Sequence, residues 1–198
     1  MFQTASGNII PFPEKIKEEF QVFETSILFN MSFEKFKLFI NEFVEQLSEP
    51  LFFVLEIPLS EHEEIELRKD DTSPFHKKIC YLDKQSKRQI GEIFKLYGEL
   101  LLNDGISKFA IYSHVTNDGV YIQKYKIASI FSHAPTDYIE FLEKHGLTQT
   151  EKLLTAWDTF SYEFPGQANA VEIDGMIVYD VYDELVKKGM YVANVVED

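Results

Sequence analysis

Imidazole, thiol, hydroxyl and carboxylate groups are what hydrolytic and metal sites are made of, so their spacing is the first thing to read. The five histidines, His62, His76, His114, His133 and His145, include no pair three or four residues apart. That is the step that brings two imidazoles to one helix face to share a metal. His62 and Glu66 stand four apart and would share a face if their segment were helical, but one imidazole and one carboxylate are too few to hold an ion. Ser113 directly precedes His114. Neighbours on a strand point to opposite faces, so these two do not form a nucleophile–base pair. Cys80 lies in the apolar run "ICYL", where a thiol is packed and inert rather than activated. Neither a G-x-S-x-G elbow nor a glycine-rich phosphate loop occurs. With 33 acidic residues, chance placement brings carboxylates together, so no single pair marks an acid–base site. No catalytic residue, metal or cofactor is assigned.

What the residue types do offer is recognition. The stretch "EHEEIELRKDD" over residues 61–71 carries six carboxylates against two cations. Glu61, Glu63, Glu64, Glu66, Asp70 and Asp71 are the candidate partner-binding acids, because clustered charge steers a basic protein surface toward its docking site. A solvated acidic loop without a partner is the competing explanation. The second candidate is the stretch "KFAIYSHVTNDGVYIQKYKIASIF" (residues 108–131), which carries Tyr112, His114, Tyr121 and Tyr125. Tyrosine contributes large contact area with little rotamer entropy to lose, and on a strand it is equally at home in a core.

The formal charge of −14 bounds the partner further. Binding a phosphate backbone requires clustered Lys and Arg, so nucleic acid is excluded as a partner, and anionic membrane surfaces with it; a basic protein is the expected partner. The longest apolar run, Leu51–Leu55, is far too short to span a bilayer. A single cysteine forms no intramolecular disulfide, and the first twenty residues lack the basic start and apolar core of a signal peptide. The expected location is the cytoplasm.

These candidates need elements to position them. Eleven of the 18 phenylalanines fall within residues 1–53. Phe33, Phe36, Phe39, Ile40, Phe43, Val44 and Leu47 recur at three- and four-residue steps after Ser32, which predicts an amphipathic helix ending before Pro50. Strands are predicted at 21–29, 51–59 and 77–83, then a helix capped by Asp83 or Ser86 and stopped at Gly105. Residues 108–131 read as two strands about Asn117-Asp118-Gly119, with a loop of two or three residues. A helix opens at Pro135 and stops at Gly146. Thr148-x-x-Glu151 reads as a capping box for a helix reaching Phe160. A short hairpin about Asp174-Gly175, a helix capped by Asp180 and a closing strand complete the chain. Helices alternate with hairpins rather than with single parallel strands, so the expected fold is one α+β domain over residues 1–198 around a largely antiparallel sheet. An irregular arm is expected over residues 1–14 and an acidic loop over 60–75.

With its "EHEEIELRKDD" segment, its "IYSHVTNDGVYIQKY" stretch and its lone Cys80, the chain resembles cytoplasmic immunity proteins of bacterial toxin systems. The resemblance is one of type over the whole chain and carries over no individual residue. It implies a single-domain acidic protein, free of disulfides and catalytic motifs, that neutralises a basic, nuclease-like toxin domain. The alternative is a small enzyme or ligand-binding regulator whose site is assembled from residues far apart in sequence.

Overall fold

The computed structural model describes residues 2–70 and 72–198. In chain order the elements are β1 (Asn8–Ile9), β2 (Glu19–Val22), β3 (Ser26–Asn30), α1 (Phe33–Gln46), β4 (Leu51–Pro58), α2 (Glu61–Leu67), β5 (His76–Gln85) and α3 (Lys87–Asn103). There follow β6 (Lys108–Ser113), β7 (Gly119–Ile122), β8 (Ile127–Phe131), α4 (Ile139–Lys144), β9 (Thr148–Gln149), β10 (Gln167–Ala168), α5 (Val178–Val186) and β11 (Tyr191–Glu197). The expected single α+β domain is what forms.

The phenylalanine stripe is a helix face. Helix α1 buries Phe36, Phe39, Ile40, Phe43 and Val44. Helix α3 begins at a reciprocal cap in which Ser86 Oγ accepts from the Gln89 amide and the Gln89 side chain accepts from the Ser86 amide, satisfying two donors the first turn leaves free. It buries Ile90, Ile93, Phe94, Leu100 and Leu101. At its other end the buried Lys126 Nζ donates to the carbonyls of Asp104 (2.6 Å) and Leu101 (3.3 Å), a cation at the negative pole of the helix. Helix α1 packs on α3, and α3 on α5, so these helices make one layer.

Under that layer runs a sheet in the order β11-β5-β4-β6-β7-β8-β3-β2-β9, antiparallel except where β9 joins β2. Side chains alternate along a strand, and β4 shows it. Leu51, Phe53, Leu55 and Ile57 enter the core with the helix residues, alongside Cys80 and Leu82 of β5 and Phe109 and Ile111 of β6. Phe52, Val54 and Glu56 face the other way. On that other side a second, smaller core forms over β8 and β3. The N-terminal arm contributes Ile10 and Ile16, which pack with Tyr125, Ile127, Ala156 and Leu28. The ribbon β1–β10 ties the arm to the later segment. No helix among the described residues is long and apolar enough to cross a membrane.

Several local expectations are corrected. The strand predicted at 21–29 is the hairpin β2–β3, with Val22 opposite Ile27. The turn between β6 and β7 has five residues, His114–Asp118, and pairs Tyr112 with Gly119. The helix predicted from Thr148 to Phe160 does not form. Its first residues are taken by the parallel edge instead: the Thr148 amide donates to Glu18 O, the Thr150 amide to Phe20 O, and the Leu153 amide to the Gln21 side chain. Only a 3-10 turn over Ala156–Thr159 remains, capped by Thr155 and Asp158. Tertiary pairing has overridden a local capping signal. The segment expected as an acidic loop is, over Glu61–Leu67, helix α2.

Candidate functional site

The side of the sheet turned away from the helices is covered over β3, β2 and the start of β8, where Leu28 and Ile127 enter the smaller core and the Leu153 amide meets Gln21. Over β11, β5, β4, β6 and β7 it carries no second layer among the described residues. There the alternation brings aromatic rings into one row across the strands. Tyr191 of β11 stacks on Tyr81 of β5 (ring centroids 6.3 Å apart), Tyr81 on Phe52 of β4 (5.8 Å), and Phe52 on Tyr112 of β6 (5.3 Å). The three pairs lie within 25° of parallel. Tyr112 then reaches across to Phe131 of β8 (6.3 Å). It does so because the intervening strand holds Gly119 opposite Tyr112, and any Cβ there would run into the Tyr112 ring and the Ile111 carbonyl. Glycine at this position is required by the closeness of the ring, not by its dihedral angles.

A polar set edges the row. The β4–β5 ladder shifts register between Leu51 and Phe53, and Lys84 there has φ 57°. Such a bulge re-aims a side chain, and here Asp83 reaches the Tyr191 hydroxyl (2.7 Å) and His114 Nε2 (3.5 Å). The His114 ring lies 4.6 Å from that of Phe52. Ser113 faces the opposite way and is committed to structure, donating to Ser48 O at 2.6 Å. At the other end of the same strands Glu56, Lys77, Lys108, Lys124, Tyr121 and Asp198 form a charged cluster. Burial pushes the Tyr112 phenol up to about 12. Burial and then the Glu56 charge raise that of Tyr121 as well. Both hydroxyls are donors at neutral pH, and Tyr121 donates to Glu56 at 2.9 Å.

Of the four central aromatic candidates, Tyr112, His114 and Tyr121 therefore share one face. Tyr125 does not. It turns into the smaller core with φ 61°, edge-on to Trp157 (4.9 Å) and Phe160 (4.8 Å). The acidic candidates sit elsewhere, on and just after α2. Glu63 completes the capping box with Ser60 and pairs with Lys78 at 2.7 Å. Against the desolvation imposed by burial, those partners hold its carboxyl below the usual range. Glu64 is buried and accepts from both the amide and the ring Nδ1 of His76. Asp70 accepts from the hydroxyls and amides of Thr72 and Ser73, which lower its pKa. Glu61 and Glu66 face solvent. Asp71 lies outside the described residues. Glu63, Glu64 and Asp70 thus serve local structure, so removing charge at Glu61 and Glu66 is the substitution that tests attraction without disturbing α2.

Phe52, Tyr81, Phe131 and Tyr191 were not singled out from the sequence, and Asp83 was read there only as a candidate helix cap. The signal for them is weak: "LFFVLEIPL" is apolar at almost every position, and Tyr81 and Tyr191 are brought together only by the β5–β11 register. Burial pushes the Cys80 thiol up to about 11, which leaves it unreactive. Among the described residues no three His, Cys, Asp or Glu side chains converge as a metal site. The row can stack on planar or cationic groups, with Asp83 as an acceptor beside it. No family model, curated protein or solved structure matches this chain.

Proposed function

We propose that this chain is a protein-binding module whose uncovered half-sheet receives a basic protein surface, in the way an immunity protein occludes a nuclease-like toxin domain in the cytoplasm. The observation that carries this is the stacked row Tyr191–Tyr81–Phe52–Tyr112–Phe131, left without a covering layer on a chain that covers the adjoining strands. Tyr191 and Phe131 at the ends of the row are exposed, and Phe52, Tyr81 and Tyr112 between them are partly buried against one another; aromatic surface of this kind marks interaction sites, and Tyr and Arg are enriched in binding hot spots. Five strands about 4.8 Å apart, each about 20 Å long, offer on the order of 500 Å². That is the larger part of the roughly 800 Å² one partner buries in a standard interface. Arginine fits the chemistry best: its guanidinium stacks on aromatic faces and pairs with a carboxylate, and Asp83 stands beside the rings. The net charge of −14 adds long-range attraction to such a partner.

The test is a parallel affinity capture from the source cells and their secreted proteins. The baits are the wild-type chain and a Phe52→Ala/Tyr112→Ala variant whose folding has been checked by circular dichroism. The expected outcome is a basic protein retained by the wild type and held at least about a hundredfold more weakly by the variant, the loss of one or two hot spots. Equal retention by both baits would contradict the proposal.

A further inference from the structure

The charged end of the same half-sheet supports an inference that does not rest on the protein-binding reading. Lys77 of β5, Lys108 of β6 and Lys124 of the turn after β7 direct their ammonium groups at one carboxylate, that of Asp198, at 3.8, 3.3 and 2.6 Å. Glu56 lies alongside, 2.7 Å from Lys77 and 3.9 Å from Lys108, and accepts from the Tyr121 hydroxyl. All five charged side chains are a quarter exposed or less. Three lysine ammonium groups face two side-chain carboxylates here, on a chain whose formal charge is −14. Burial first, and the neighbouring Lys77 next, hold the Lys108 ammonium below the ordinary lysine range even though Asp198 pulls the other way, while against burial Glu56 raises that of Lys77.

Asp198 enters from the end of β11. Its amide donates a hydrogen bond to Phe75 O at 2.8 Å, and among the described residues its side-chain oxygens meet only lysines. We propose that the three lysines form an anion seat, that the Asp198 carboxylate occupies it as a built-in stand-in, and that a dianionic phosphoryl group displaces it. With the Asp198 side chain withdrawn, three lysines face Glu56 alone and carry two positive charges. A phosphoryl dianion neutralises both, whereas a carboxylate neutralises one. Lysine serves phosphate as a point charge, and partial burial strengthens the attraction relative to open water. Tyr121, by donating to Glu56, fixes that carboxylate against Lys77.

Calorimetric titration at constant ionic strength tests this, with inorganic phosphate, phosphoserine and acetate as separate probes. Asp198→Asn keeps the amide hydrogen bond to Phe75 O and removes the competing charge. It should bind inorganic phosphate at least tenfold more tightly than the wild type and at least tenfold more tightly than it binds acetate. Adding Lys124→Gln to that variant should abolish the gain. Phosphoserine binding more tightly than phosphate would identify a phosphate ester as the source, and equal affinity would identify the free ion. Should Asp198→Asn fold poorly, thermal unfolding replaces titration: phosphate should stabilise the wild type over chloride at matched ionic strength, and Lys124→Gln should lose that effect. Phosphate binding that is the same in wild type and Asp198→Asn, or unchanged by Lys124→Gln, or matched by acetate, would overturn the proposal.

Discussion

The two faces of the central strands use the same residues to different ends. On β4, Phe53 is fully buried against Phe94 and Phe109 under the helices, while Phe52, its neighbour, lies partly buried between Tyr81 and Tyr112 in a row without a second layer among the described residues. The helix side is aliphatic and aromatic with almost no polar atoms. The open side keeps a polar handle at each end, Asp83 at one and Glu56 at the other. A strand that is apolar on both faces is normally sandwiched by both. Here one sandwich layer is present over β3, β2 and the start of β8, built from the N-terminal arm and the segment from Leu153 to Phe160, and stops short of β4. Coverage at one half and exposure at the other, on one continuous sheet, is the basis for reading the open half as a surface for another molecule.

That contrast is broken most sharply by truncating each neighbour in turn. Phe53→Ala leaves a cavity in a close-packed core and is expected to cost about 3–5 kcal/mol of folding stability. Phe52→Ala, at a partly buried position on the open face, is expected to cost about 1–2 kcal/mol, while removing the centre of the row. Urea unfolding of the two variants checks this, and equal losses would show that the open face is structural. Gly119→Ala comes next. Its Cβ must displace the Tyr112 ring or the Ile111 carbonyl, and overpacking of this kind costs about 1–3 kcal/mol. Ring-proton chemical shifts of Tyr112 and Phe131 should move with it; unchanged shifts would mean the row tolerates a side chain there.

The smallest expected effect concerns a histidine of the covered side. His145 packs against Phe39 and Phe141. Burial first, with Lys144 and Lys35 adding to it against the pull of Glu42, holds its imidazole below the ordinary value of 6.5. The folded state therefore prefers the neutral ring. The stability it contributes is full above pH 6.5 and is lost as pH falls from there through the lowered folded value. Thermal melts across that window should show a shallower fall for His145→Gln than for the wild type, and identical slopes would remove His145 from the account.

Much of the fold could be read from the sequence. The periodic Phe36, Phe39 and Phe43 stripe marked α1, Ser86, read with Asp83 as the alternative cap, marked the start of α3, and the two β-rich runs after Lys108 marked a hairpin, whose second run is divided into β7 and β8 by the turn at Lys124–Lys126. These are local patterns that tertiary contacts reinforce. The half-sheet surface was legible only in part. Tyr112, His114 and Tyr121 lie close in sequence, but their companions Phe52, Tyr81 and Tyr191 join them through register across four strands, and a one-residue slip would turn each ring to the other side. The acidic segment was legible only as composition, for a related reason. Composition shows six carboxylates but not that Glu63, Glu64 and Asp70 bind Lys78, His76 and Thr72.

Oxidative footprinting of side chains, on the free chain and on its complex with the captured partner, tests the central claim most directly. Protection of Phe52, Tyr81, Tyr112, Phe131 and Tyr191 on binding, with Ile65, Leu67 and Phe75 around α2 labelled as in the free chain, is the predicted result. Protection confined to the α2 residues, with the aromatic row still labelled, would contradict it and return recognition to the acidic segment.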